Sequence, residues 1–154
     1  MVRNVIQNKK GFTIIETLVA MVLFSLVLIF MLQSFLLAYR LNFEKLVKDE
    51  ITKIAQEELE KIRNTSFSNI VPSCSNACTN HPTSCQITRQ VRNKTLTFWE
   101  EISVSGYDAN HNPVTNLNDA VFKVVTIKIC SRHNDTKGNK IEYTTTSVIY
   151  DKGF

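Results

Sequence analysis

Twenty-three consecutive residues, Thr17 to Tyr39, carry no charge, and 18 of them are Leu, Val, Ile, Phe, Met or Ala. As a helix rising ~1.5 Å per residue the run spans roughly 34 Å, enough to cross the hydrocarbon core of a bilayer. This argues against a simple soluble cytosolic enzyme. The chain is 154 residues long, with room for one small domain besides that run. With 44% apolar and 21% charged residues, it is neither disordered nor collagen-like.

Net charge is concentrated at the front. The formal value is +4, from 18 basic and 14 acidic residues, and Arg3, Lys9 and Lys10 lie in the first ten positions. The remaining 15 basic residues nearly balance the 14 acids. That balance does not make a broad nucleic-acid-binding surface, which needs basic groups gathered on one face. The basic leader keeps Met1 to Lys10 on the cytoplasmic side of a membrane. A secretory signal peptide would have a shorter apolar core and a small-x-small cleavage site. A plain signal anchor explains the run but not Glu16 near its start. A carboxylate in lipid costs roughly 2.5–3.5 kcal/mol and is by default a functional group with a partner.

The stretch Lys9-Lys10-Gly11-Phe12-Thr13-Ile14-Ile15-Glu16-Thr17-Leu18-Val19-Ala20 closely resembles the N-terminus of type IV pilins and pseudopilins. The resemblance implies that a membrane-embedded prepilin peptidase cuts after Gly11 and methylates the new N-terminus, Phe12. Gly11 lets catalytic groups approach the backbone. Lys9 and Lys10 hold the scissile bond at the headgroup level. Cleavage exposes the Phe12 amino group as a cation, and Glu16 lies four residues on. A lone carboxylate in lipid needs an opposite charge. The resemblance implies that its partner is the methylated amino group of a neighbouring subunit, an assembly ion pair of Glu16 with Phe12. The competing reading lets Glu16 snorkel to the interface.

Helical periodicity continues beyond the membrane. Val47, Ile51, Ile54, Ala55, Leu59 and Ile62 advance by threes and fours and form one stripe. Glu44 with Lys48, Asp49 with Lys53, and Glu57 with Lys61 are acid-first i,i+4 pairs. No Gly or Pro occurs from residue 12 to 71, and Asn64-Thr65-Ser66 is the expected stop. Major pilins commonly place a helix-weakening Gly and a Pro in the apolar half; here Ser25 and Gln33 stand at those offsets, predicting a straighter helix. That departure, with Leu32-Gln33 and the run from Ile54 to Asn64, resembles PilV-type minor pilins and the minor pseudopilins of type II secretion.

Residues 65–85 read as a Cys-containing loop. Segments 86–91, 96–104, 121–130 and 140–150 read as strands, the last two joined by a turn at Asn134–Asn139. The expected fold is α+β and pilin-like: a leader at 1–11, a long helix at 12–64 that crosses the membrane at about 17–39, the loop, and an antiparallel β domain at 86–154 laid on the amphipathic half-helix. Cys74, Cys78, Cys85 and Cys130 all fall on the extracytoplasmic side. Four cysteines there suggest two disulfides of open connectivity, one of them tying the loop to the Cys130 strand. Zinc on Cys74, Cys78, His81 and Cys85 is the alternative, though the spacing fits no common pattern and leaves Cys130 over. No cofactor is expected, except weakly calcium in the 108–119 loop. There Asp108-x-Asn110-x-Asn112 resembles the opening of a calcium loop, but Pro113 stands where Gly is needed. His111 and His133 are expected in exposed loops.

No catalytic motif is present, so the expected role is structural. The chain reads as a minor type IV pilin, inserted in the bacterial inner membrane with its N-terminus cytoplasmic, then carried into a pilus or its initiating tip complex. Its expected partners are the prepilin peptidase and methyltransferase, other major and minor pilins, the inner-membrane assembly platform, and lipid before assembly. Two alternatives remain: a minor pseudopilin of type II secretion, or a pilus-borne adhesin or DNA-uptake subunit. The only nucleic-acid signal is Arg89, Arg92 and Lys94 near Phe98 and Trp99, a small version of a single-strand footprint. Mass spectrometry of the mature chain should find methylated Phe12 at its N-terminus; a product still starting at Met1 in peptidase-competent cells would contradict the reading.

Overall fold

The computed structural model describes residues 13–151. They form an α+β fold: a long N-terminal helix, α1 (Ile14–Arg63), followed by a small antiparallel sheet. Two compact units divide at Arg40 and Leu41.

In the first unit every described residue is exposed, Leu, Val, Ile, Phe and Met included. α1 is long and apolar enough there to cross a membrane. Its few hydroxyls are satisfied within the helix: Thr17 donates to the Ile14 carbonyl at 2.7 Å, Ser25 to Met21 at 2.8 Å and Ser34 to Phe30 at 2.9 Å. A hydroxyl that bonds its own helix in this way can enter lipid without a stranded donor.

The second unit holds the rest of α1 and the sheet. Strands β1 (Gln86–Val91), β2 (Lys94–Tyr107), β4 (Phe122–Asn134) and β5 (Lys140–Tyr150) lie side by side in chain order, and the short β3 (Pro113–Val114) pairs with the far end of β2. β1 and β2 are joined by Arg92 and Asn93, both at positive φ, as a two-residue hairpin turn requires. Gly106 is needed where β2 meets the 113–120 segment: a Cβ there would lie 2.9 Å from the Ala120 Cβ.

Strand alternation gives the sheet two faces. The inner face carries Leu96, Phe98, Val125, Ile127 and Ile129, which form one core with Val47, Ile51, Ile54 and Ala55 of α1. Leu59 and Ile62 complete the stripe at partial burial. The ion pairs differ from their sequence assignments. Glu44 meets Lys48 at 2.6 Å, but Lys53 lies nearer Glu50, Lys61 bonds Glu58, and Glu57 turns to Arg89 on β1. Glu57 is drawn away because the sheet offers a guanidinium that intrahelix spacing alone does not reveal.

Besides Arg89, Lys123 and Glu100 sit on this inner face. Lys123 is fully buried, and its Nζ donates to the carbonyls of Phe67 at 2.6 Å and Ile70 at 3.0 Å, fastening the turn after α1 to β4. Burial lowers its pKa, opposed by Asp151. Glu100 is half-buried, and one of its carboxylate oxygens lacks a hydrogen-bond partner. Desolvation, then repulsion from Glu58, raises its pKa from 4.5 to about 7, against the pull of Lys61. The folded chain therefore holds this proton more tightly than the unfolded chain. The resulting stabilisation is complete below pH 4.5 and is lost as pH rises through about 7. Glu100→Gln should remove this component of the pH dependence and be more stable than wild type above pH 7, as read by urea denaturation across a pH series.

Candidate assembly site

At the start of α1, Thr13 and Glu16 engage each other. The Thr13 amide donates to the Glu16 carboxylate and the Glu16 amide donates to the Thr13 hydroxyl, both at 3.4 Å. This is a capping box, which serves two of the amides that a helix N-terminus leaves unpaired. The three-residue Thr-to-Glu spacing is the sequence signal for it. The box also places the carboxylate at the positive end of the helix dipole. Lys9, Lys10, Gly11 and Phe12 lie outside the described residues, so the pairing of Glu16 with Phe12 has no geometry to report.

The four cysteines form two disulfides, Cys74–Cys85 and Cys78–Cys130. The first closes the loop on itself; the second binds the short helix α2 (Ala77–Asn80) to β4. Oxidised sulfurs cannot serve as the thiolates of the zinc set, and His81 instead lies against Trp99, with ring centroids 4.2 Å apart. Ala77, Cys78, Trp99 and Cys130 make a second core on the outer face of the sheet.

The start of the 108–119 segment, residues 108–112, is a self-satisfied turn. The Asp108 carboxylate accepts the amides of Asn110 and Asn112, each at 2.8 Å, and the Asn112 side-chain amide at 3.3 Å. These bonds hold its pKa below the usual carboxylate range, despite some desolvation. Asp135 does the same with Lys137 and Asn139 in the β4–β5 turn. Both five-residue loops run Asp to Asn and place the fourth residue, His111 or Gly138, at positive φ. Among the described residues no cluster of three or more His, Cys, Asp or Glu could hold a metal.

The basic and aromatic residues considered for nucleic acid do not form a platform. Phe98 is wholly buried under α1, Trp99 is 5% exposed beneath α2, and Arg89 is paired with Glu57. Strand alternation sends the two rings to opposite faces, where each builds a core. His111 is exposed as expected. His133 is instead half-buried, because its ring packs edge-on against Phe43 of α1 at 5.3 Å.

Residues 6–32 match the family described as the prokaryotic N-terminal methylation motif. No curated protein and no solved structure matches the chain. The motif supports a type IV pilin-like or pseudopilin subunit, and with it a structural rather than enzymatic role. It implies recognition by the prepilin peptidase and assembly with other pilins, and together with the apolar half of α1 it supports anchoring in a membrane.

The disulfides close loops of different length, with sequence separations of 52 and 11 residues. On chain entropy, replacing Cys78 and Cys130 by Ser should cost ~4 kcal/mol, and replacing Cys74 and Cys85 ~3 kcal/mol. Urea denaturation of the two double variants checks the order.

Proposed function

We propose that the chain is a minor type IV pilin, cut after Gly11, methylated at Phe12, and assembled into a pilus or the complex that initiates one. The observation that carries this reading is the bare apolar half of α1, which has Glu16 in its first turn and overlaps the matched methylation motif at residues 6–32. An apolar helical surface of that extent needs lipid or other helices around it. Lipid covers it before assembly and neighbouring subunits cover it afterwards. The uninterrupted helix from Ile14 to Arg63, with Ser25 and Gln33 at the offsets where major pilins carry Gly and Pro, favours a minor subunit. A minor pseudopilin of type II secretion would use the same chemistry in another machine, and the neighbouring genes distinguish the two.

In this reading Glu16 exchanges its local partner for a stronger one. In the free subunit it caps its own helix; in the filament it meets the methylated amino group of the next subunit. Methylation preserves the positive charge, so the pair survives it. The capping bonds are long and exposed, so little is given up in the exchange.

Glu16→Gln keeps the shape and much of the capping capacity but removes the charge. Loss of one partner from a buried pair costs ~3–5 kcal/mol. Incorporation into sheared filaments should therefore fall at least about tenfold at unchanged cellular level, while Thr13→Ala, which breaks only the cap, should assemble nearly as wild type. Equal incorporation of Glu16→Gln and wild type would overturn the proposed role of the acid.

A further inference from the structure

On the outer face of the sheet a cavity of about 320 Å³ is lined by His81, Trp99, Ser131, Arg132, Asn134 and Lys140. Its construction is specific. β4 and β5 slip register here: Cys130 faces Glu142 and Asn134 faces Lys140, so three residues of β4 stand opposite one of β5. A bulge of this kind re-aims side chains. Ser131 and Arg132, which a regular strand sends to opposite faces, both line the same cavity. The Cys78–Cys130 disulfide fixes α2 above β4. His81 ends that helix at a left-handed φ of 52° and lies against Trp99.

The lining is one-sided in its chemistry. Its residues include the basic Arg132 and Lys140 with His81, Trp99, Asn134 and Ser131, and neither Asp nor Glu. Among the described residues neither Arg132 nor Lys140 forms an ion pair, and the nearby Glu142 is engaged by Lys128 at 2.9 Å. Lys140 Nζ donates to the Cys78 carbonyl at 3.3 Å, which steadies it and leaves further donor capacity. Trp99 Nε1 is buried without any hydrogen-bond partner among the described residues, a cost that native structures rarely leave unexplained. A cavity of this volume is at the lower end of small-ligand sites and exceeds what a single small ion fills.

We propose that this cavity binds a small polar ligand of about monosaccharide size through its anionic group, a carboxylate or a phosphate, with Arg132 and Lys140 holding the charge and His81 and Trp99 lining the seat of the body. The site lies wholly within the sheet domain, so it does not depend on the assembly reading.

Trp99 is the only tryptophan in the chain, so its fluorescence reports the cavity directly. The full chain in detergent is titrated with glucuronate, inorganic phosphate and neutral glucose at matched ionic strength. The expected result is a saturable change with at least one anion and none with glucose. Tighter glucuronate assigns an acidic sugar, and tighter phosphate assigns a phosphate ester. Arg132→Gln and Lys140→Gln should each weaken binding roughly tenfold, as expected for loss of one charge-assisted contact. Circular dichroism verifies that each variant is folded, and Arg132→Gln, an exposed position, keeps the test valid should Lys140→Gln unfold. No saturable change with either anion, an equal change with glucose, or full affinity in folded Arg132→Gln would overturn the proposal.

Discussion

The contact of Val47, Ile51, Ile54 and Ala55 with Phe98, Val125, Ile127 and Ile129 holds the second unit together. A single helix here serves two environments. Toward its N-terminus it is apolar all round and satisfies its backbone and hydroxyl groups internally, as lipid requires. Beyond Leu41 only one stripe is apolar, and the sheet's inner face covers it. The polar groups on that inner face are arranged around this contact. Lys123 fastens the turn that follows α1, while Glu100 carries the cost of burial and, after it, of repulsion from Glu58.

The outer face is organised by covalent bonds as much as by burial. Its core is small, with Trp99 and Cys130 at the centre, and the loop above it has little apolar content of its own. The Cys78–Cys130 disulfide supplies the restraint that packing does not. The same restraint and the adjoining bulge leave a donor-lined cavity beside Trp99. The two faces thus divide the work: one binds the chain to its own stem, and the other faces away from the stem and presents side chains.

The proposed assembly chemistry lies at the other end of the chain. Glu16 sits in the first turn of α1, joined to Thr13 by the capping box. In the proposed role the acid awaits its cation while engaged with Thr13. The proposed exchange of partners needs no change in the fold of either unit, because the residues involved lie within one turn of the helix start.

Periodicity and composition determined the helix almost to the residue, its change from wholly apolar to striped, and the strands β1 and β5, because those signals are local repeats of 3.6 and 2. The N-terminal methylation motif was likewise legible as a short linear pattern. Local spacing could not say which acid Arg89 would meet, that Lys123 would be buried against the carbonyls of Phe67 and Ile70, or that His133 would pack on Phe43. Nor could it choose among three cysteine pairings or foresee the bulge that gathers Ser131, Arg132 and Lys140 around Trp99. Each of those depends on residues far apart in the chain being brought together by the sheet. A sequence states which groups are available; only the packed strands decide which of them become neighbours.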